Sequence, residues 1–315
     1  TTGQPAGGGR PIVARNHPSP PPSFAQQRLW LIEQLLPEAG LYHMPFAVEA
    51  QGALDIDALE AALGKVVARH AVLRTRIETR EGKPVQQTVE DVRTPVTLID
   101  RRANGLDAQD LEDVIRAEAR RRFDLASEPP LRLSVISLGP DRNILLLTLH
   151  HICADGWSMD VLLQDLAFFY ESAMSDVPGE IRALPIQYGD FAAWQRDFLQ
   201  GPKLEQSLAF WREHLEGPLP VTRLPADFQR PPVQNNEGRL HEIALDADTV
   251  ARLRGLAGAA GATLFAALFT AFNILVYRYT DQADLVIGTP VANRSHRETE
   301  DLVGLFVKPL PVRAR

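Results

Sequence analysis

Two apolar stretches separated by a short turn signal constrain the fold of this chain more than any other feature. Residues 131–138 (LRLSVISL) and 143–151 (NILLLTLHH) have the character of paired strands, and Gly139-Pro140-Asp141 between them favours a turn. The stretch 158–174 (SMDVLLQDLAFFYESAM) follows with apolar residues at helical spacing, and Ser158 is its expected N-cap. This order predicts a structure that mixes helices and strands.

Helices and strands alternate along the rest of the chain. The first helix is expected after Ser23, and the next one after Asp55 or Asp57. A second block repeats this style, with a strand in 239–245, helices in 246–261 and 263–280, and a strand in 284–292. Because strict strand–helix–strand spacing is absent, the predicted class is α/β or α+β with two lobes, and a fully parallel sheet is disfavoured.

The composition of the chain suggests four segments. Residues 1–22 are rich in Gly and Pro and are typical of an interdomain linker. Residues 23–180 are predicted to form an N-terminal lobe, 181–235 a loop-rich connection, and 236–315 the start of a C-terminal lobe. The first residue is Thr rather than Met, so we expect a piece of a longer polypeptide.

Charge and cysteine content disfavour several classes of function. The formal charge of −7 argues against a nucleic-acid partner, because contact with phosphates needs clustered Lys and Arg. The single cysteine, Cys153, excludes an intramolecular disulfide and suits a reducing cytoplasm. No signal peptide or membrane-length apolar segment is visible, so no membrane partner is expected.

The end of the second predicted strand carries the candidate chemistry. Strand alternation places His150 and His151 on opposite faces, so that one imidazole packs inside while the other faces a cleft. Imidazole exchanges protons near neutral pH. Asp155 can orient an imidazole or pair with an arginine, and Gly156 leaves room for a close approach. From these residues alone, a polar cluster that shapes a loop and a reaction centre remain open alternatives.

Two rival chemistries are disfavoured on the same stretch. Adjacent histidines have awkward geometry for one metal ion, and no second His/Cys cluster exists in the sequence, so no metal site is predicted. Cys153 is flanked by apolar residues, which is typical of an inert thiol rather than a nucleophile. A phosphate-binding Gly-rich loop and a G-x-S-x-G elbow are both absent.

HHICADGWS (150–158) resembles the HHxxxDGWS signature of condensation domains from nonribosomal peptide synthetases. Four other stretches resemble further motifs of that family and occur in the family's order: SFAQQRLW (23–30), RHAVLRT (69–75), YGDFAAW (188–194), and IGTPVANR (287–294) with VGLFVKPLPVR (303–313). An isolated HxxxD is common among acyltransferases, whereas five ordered motifs are specific.

The resemblance implies a fold of two lobes, each similar to chloramphenicol acetyltransferase, in a V-shaped pseudodimer around a tunnel. It also implies an acyltransferase that makes antibiotics or other secondary metabolites. An aminoacyl amine on a downstream carrier domain attacks a peptidyl or aminoacyl thioester on an upstream one. In this resemblance both substrates are covalently attached to 4'-phosphopantetheine groups of carrier domains, and the domain itself binds no cofactor directly. An adenylation domain is expected in the same megasynthase. Family members continue beyond the fifth motif, so the second lobe is expected to be incomplete here.

The resemblance also assigns roles to the two histidines. It makes His151 the catalytic residue, either as a base toward the attacking amine or as a group that positions the amine and stabilises the tetrahedral intermediate. His150 takes a structural role.

The remaining motif residues support the site in this resemblance. Asp155 is expected to pair with Arg74 of the second motif and thereby to shape the loop. Gly156 leaves room where the acceptor arm meets His151, and Asn293 and Arg294 belong to a floor loop between the lobes.

Three alternatives to amide formation remain, and the first, an epimerization domain, belongs to the same superfamily. An epimerization domain shares the double histidine, although DGWS followed by MDVLL fits condensation better. A catalytically silent recruitment domain, which binds carrier or tailoring proteins, usually loses the second histidine or the glycine, and both are present here as His151 and Gly156. A free-standing acyltransferase that uses coenzyme A is the weakest alternative. The sequence departs from the family pattern at Ala71 and at Lys308-Pro309.

Overall fold

A computed structural model describes residues 11–315 except 16, 18, 37–39, 103–107, 176–178, 230, 233–237 and 239. The helices of the described residues, α1 to α8, span Phe24–Leu35, Ile56–Arg69, Ala108–Arg120, Gly156–Met174, Tyr188–Phe198, Gly201–His214, Ala247–Ala259 and Leu264–Thr280. The strands, β1 to β8, span His43–Gln51, Thr75–Arg80, Lys83–Thr88, Val96–Asp100, Leu131–Gly139, Arg142–His150, Leu285–Val291 and Lys308–Ala314. Short 3₁₀ turns occupy Ala71–Arg74 and Arg297–Thr299.

The chain forms two compact units. The larger unit runs up to Gln200 and includes Ala292–Lys308, and the smaller unit contains Gly201–Val291 and Pro309–Arg315. The fifth sequence motif is therefore shared between the units, since Arg294 belongs to the larger one and β7 to the smaller one.

A mixed four-stranded sheet forms the centre of the larger unit, in the order β1-β6-β5-β4. The pairs β1/β6 and β5/β6 are antiparallel, and β4/β5 is parallel. The predicted hairpin is confirmed, because β5 and β6 pair from Leu131↔Leu149 to Gly139↔Arg142. Both strands are buried along most of their length on both faces, as expected for strands that are covered on each side.

The main core lies where α2 and α4 pack together in the larger unit. Asp55 caps α2 by accepting a hydrogen bond from the amide of Ala58 at 2.9 Å. Leu63 and Val66 of α2 and Leu162 of α4 are fully buried. Burial of such side chains stabilises the unit by about 1.5–3 kcal/mol each before entropy is subtracted.

The smaller unit contains α6, α7, α8 and the pair β7/β8. The strand predicted in 239–245 is wrong for residues 240–245, which have no regular structure, because no strand among the described residues pairs with them. Apolar side chains of α8 such as Phe265 and Phe272 are exposed. By length and composition no single described helix could cross a membrane, whereas α7 and α8 pass that test only together, bent by 102°.

Candidate active site

The candidate site lies where β6 ends at His150 and the chain turns into α4. His150 is 1% exposed, whereas His151 is partly exposed. The difference in burial expected of the two histidines is therefore observed, although β6 ends at His150 and His151 lies in the turn that follows.

His151 is fixed on the turn by two hydrogen bonds. Its backbone amide donates to the carbonyl of Tyr42 at 2.7 Å, and its Nδ1 lies 2.5 Å from the carbonyl oxygen of Ala154. Because a carbonyl oxygen only accepts, Nδ1 carries a proton. In the neutral ring Nε2 consequently presents its lone pair, and it can accept a hydrogen bond or a proton from a substrate.

His150 has the opposite arrangement. Its Nδ1 accepts a hydrogen bond from the amide of Ile152 at 3.1 Å, so Nε2 carries the proton of the neutral ring. That Nε2 lies 3.7 Å from a carboxylate oxygen of Glu33, and the ring packs edge-on against His43 and Phe123. Burial lowers the pKa of the neighbouring His43. The surroundings of His150 are those of a packed interior residue.

The side chain of Gln26, in the first motif, forms a hydrogen bond to the turn that carries His151. Its Oε1 accepts from the amide of Ser23 at 2.9 Å, and its Nε2 donates to the carbonyl of Ile152 at 3.2 Å. The same Nε2 donates to Oε1 of Gln86 at 3.1 Å. Sequence reasoning missed this support: the Ser-x-x-Gln spacing indicates the reciprocal capping box with Ser23, but nothing in it indicates the reach to Ile152.

Asp155 caps α4, so Ser158 is not the N-cap that the sequence predicted. One carboxylate oxygen of Asp155 accepts from the amide of Ser158 at 2.9 Å and lies 2.7 Å from its hydroxyl. The other accepts from the amides of Phe306 and Val307 at 3.0 and 3.1 Å. With both oxygens occupied and the residue 1% exposed, the carboxylate is saturated by structural bonds.

The expected pairing of Asp155 with Arg74 is wrong, because Arg294 takes that place. Nη2 of Arg294 lies 3.2 Å from Oδ1 of Asp155, and both side chains are 2% exposed. Arg74 instead donates from one terminal nitrogen to the carbonyl of Val89 at 2.8 Å.

Arg294 forms its hydrogen bonds through its two terminal nitrogens, whereas its buried Nε has no partner among the described residues. Arg294 donates to the carbonyls of Thr299 and Leu302, and its guanidinium lies 4.1 Å from the centre of the Phe306 ring. Burial lowers the pKa of Arg294, while Asp155 acts in the opposite direction. Asn293, directly before it, has a φ of 55°, a left-handed conformation that asparagine tolerates better than most residues. The fifth motif therefore anchors its loop to the start of α4.

Two glycines of these motifs have contrasting surroundings. A Cβ built on Gly156, the first residue of α4, meets nothing within 4 Å, so open space lies beside it. A Cβ on Gly304 lies 2.0 Å from the ring of Tyr188 and 2.8 Å from that of Phe306, so the interior excludes any side chain there. Burial raises the pKa of the Tyr188 hydroxyl, which donates to the carbonyl of Leu305 at 2.7 Å.

His70 of the second motif is also an interior residue. Its Nε2 lies 2.7 Å from a carboxylate oxygen of Asp165 on α4, and its Nδ1 accepts from the amide of Val303 at 3.4 Å. Burial lowers the pKa of His70, although Asp165 opposes this shift. Arg69 donates to the same oxygen of Asp165 at 2.8 Å. The sequence gives no sign of this bridge, because His70 and Asp165 are 95 residues apart along the chain.

The structure gives no support to the two rival chemistries. Cys153 is 1% exposed, its thiol donates to the carbonyl of His150 at 3.1 Å, and burial raises its pKa, which disfavours the thiolate. Among the described residues, no three His, Cys, Asp or Glu side chains are grouped so as to hold a metal ion.

The family model "Condensation domain" matches residues 19–315. The chain belongs to the condensation-domain family. The fold predicted from the sequence, a mixed α/β fold of the chloramphenicol acetyltransferase type, is confirmed by the solved structures of this family that it matches.

Relatives of this condensation domain are nonribosomal peptide synthetases. It is 42% identical over 296 residues to one of the subunits of linear gramicidin synthase from Brevibacillus parabrevis, covering 93% of this chain and 4% of that protein. It is 39% identical over 304 residues to phosphinothricin tripeptide synthetase PhsC of Streptomyces viridochromogenes, covering 94% of this chain and 27% of that protein. The chain thus spans a small part of the relatives that it matches.

Among solved structures, this condensation domain is similar to the X-domain in a complex of the X-domain and OxyB from teicoplanin biosynthesis. The two chains are 32% identical with a TM-score of 0.86, over 97% of this chain and 67% of that one.

Proposed function

We propose that this condensation domain forms an amide bond between two carrier-tethered substrates. The supporting observation is the state of His151: its Nδ1 is committed to the Ala154 carbonyl, and its Nε2 lone pair is presented from a partly exposed turn. The open space at Gly156 allows a narrow substrate arm to approach the same turn.

In this proposal an aminoacyl amine on the downstream carrier attacks the thioester carbonyl carbon of the upstream substrate. A C–N bond forms, and the carbonyl electron pair moves to oxygen. Nε2 of His151 accepts the proton that the nitrogen loses. The electron pair on oxygen then re-forms the C=O bond as the C–S bond breaks, and the thiolate leaves with the upstream phosphopantetheine and takes the proton from Nε2. Since an α-amine titrates near neutrality, correct positioning of the amine contributes more than basic strength.

Asp155 takes no part in this step, because both of its oxygens are occupied. The two 4'-phosphopantetheine groups belong to the substrates, so the chain itself need bind no cofactor. We expect the partners to be the upstream and downstream carrier domains, with an adenylation domain in the same synthetase in the cytoplasm.

A recruitment role is the second candidate, and the similarity to an X-domain favours considering it. It requires a partner protein but no reacting imidazole. Because His151 and Gly156 are both present, we place amide formation first.

Mass spectrometry of the products from a loaded donor carrier and a loaded acceptor carrier tests the proposal. An acceptor carrier that gains the mass of the donor acyl group supports condensation. Inverted stereochemistry of the released acyl group, seen by chiral chromatography, without mass gain identifies an epimerase, and no change to either carrier in mass or stereochemistry supports recruitment. The matched variants are His151→Ala, which should lose the product, and His241→Ala, which removes an exposed histidine of the smaller unit and should keep it.

A further inference from the structure

A cavity of about 350 Å³ lies in the larger unit beside the second motif, and His151 is not among its lining residues. Its lining includes these polar and aromatic side chains: Arg74, Thr75, Gln86, Thr88 and Tyr188. One lining residue is linked to the turn that carries His151: Gln86 accepts a hydrogen bond from Gln26, and Gln26 also donates to the carbonyl of Ile152 in that turn. The role proposed above for His151 makes no use of this cavity.

Gln86 places an unsatisfied amide in this cavity lining. Because Oε1 of Gln26 already accepts from Ser23, the nitrogen of Gln26 must be the donor toward Gln86. This fixes Oε1 of Gln86 as the acceptor and leaves its Nε2 as the free end. Gln86 is 2% exposed, and its Nε2 has no acceptor among the residues that the structure describes.

Arg74 adds a second unsatisfied donor and a positive charge. Its Nη1 donates to Val89, whereas its buried Nε has no acceptor in the described part of the chain. No described carboxylate lies within ion-pair distance of Arg74, whereas the buried Arg294, whose Nε also has no acceptor among the described residues, has its charge balanced by Asp155. Nε and the adjacent Nη2 form the edge of a guanidinium that binds a carboxylate or phosphate with two parallel hydrogen bonds.

Two acidic residues also line the cavity, and neither neutralises Arg74. The oxygens of Asp190 accept from the amides of Arg15 and Gln187 at 2.7 and 2.8 Å. Glu90 is exposed and forms no ion pair among the described residues. Buried donors without acceptors are unfavourable by about 1–3 kcal/mol each, and a bound acceptor removes that cost.

We propose that this cavity binds the oxyanion group of a small molecule, a carboxylate or a phosphate, through Nε of Arg74 and Nε2 of Gln86. The volume lies at the lower end of small-molecule sites, of roughly 300–1,000 Å³, so the ligand is a small metabolite rather than a protein segment. The site is independent of the amide-forming chemistry.

Calorimetric titration of the full chain with sodium acetate and with inorganic phosphate, at ionic strength held constant with NaCl, tests the site and separates the two oxyanion sources. Saturable binding of either is expected for the wild type. Arg74→Met should weaken it by at least about tenfold. Gln86→Glu keeps an oxygen for Gln26 but replaces the donor with a carboxylate, and should weaken it as much. The matched control is Arg80→Met on the same hairpin, an exposed arginine paired with Glu78, which should bind as the wild type does.

The proposal is overturned if neither probe binds, or if Arg80→Met weakens binding as much as Arg74→Met does, since that identifies an adventitious ion only. A second measurement needs no variant: crystals of the wild type soaked in selenate should show an anomalous peak within hydrogen-bond distance of Arg74 Nε. Selenate peaks at the surface alone would contradict the assignment.

Discussion

Asp155→Ala separates a structural aspartate from a catalytic one. The substitution removes the acceptor of three backbone amides, those of Ser158, Phe306 and Val307, and leaves the guanidinium of Arg294 buried without a carboxylate. Loss of one partner of a buried ion pair destabilises a protein by roughly 3–5 kcal/mol. The three unpaired amides place the expected loss near the upper end of that range, because water in the vacated space replaces only some of their bonds.

Urea unfolding followed by tryptophan fluorescence measures this loss. Trp157 is a suitable reporter, since its indole donates to the carbonyl of Glu300 at 3.0 Å beside the ion pair. The double variant Asp155→Ala/Arg294→Met should lose about 1–3 kcal/mol less than the sum of the single losses, because the buried charge is then gone. The control Arg252→Met breaks an exposed pair with Asp248 and should change the free energy of unfolding by less than about 0.5 kcal/mol.

The decisive comparison is between stability and activity. We expect Asp155→Ala to lose amide formation in step with the loss of folded protein. An Asp155→Ala variant whose free energy of unfolding is within about 1 kcal/mol of the wild-type value, and which still makes no amide, would refute this reasoning and give Asp155 a chemical role.

Three further predictions follow from the site. Gly156→Ala should leave the free energy of unfolding in urea unchanged or raise it by up to about 1 kcal/mol, because the added Cβ meets open space at the start of α4. The same substitution should slow amide formation in the product assay, because the methyl group narrows the space through which the substrate approaches His151. Gly304→Ala should destabilise the chain by more than about 2 kcal/mol in the same urea assay, because its Cβ collides with Tyr188, and unchanged stability would contradict the packing. Burial lowers the pKa of folded His70, so the unfolded chain binds more protons as the pH falls below about 6.5, and stability must decline there. His70→Asn should flatten that decline in urea midpoints measured between about pH 7.5 and 5.5, and an unchanged slope would assign it to other groups.

Local patterns of the sequence were enough to predict the frame of the site. Apolar runs and turn residues indicate the β5–β6 hairpin, and alternation indicates that His150 is buried while His151 is partly exposed. These features depend on neighbours along the chain, and the chemistry of a few residues determines them.

Long-range partners could not be predicted in the same way. Asp155 lies closer in sequence to Arg74 than to Arg294, and the spacing of the motifs gives no sign that residues 292–308 pack with the larger unit. The link from Gln26 to Ile152 has the same cause, because 126 residues separate the two groups and only the folded chain brings them together. The predicted strand in 239–245 has a strand-like composition, but a strand also requires a neighbour that supplies hydrogen bonds.

The central claim is that Nε2 of His151 accepts the proton or hydrogen bond of the attacking amine. The most direct test is the single-turnover rate of amide formation between loaded carriers, compared for the wild type and His151→Ala at equal folded concentration. We expect the rate for His151→Ala to fall by about 100-fold or more, with an unchanged urea midpoint. Amide formation by His151→Ala at the wild-type rate would contradict it.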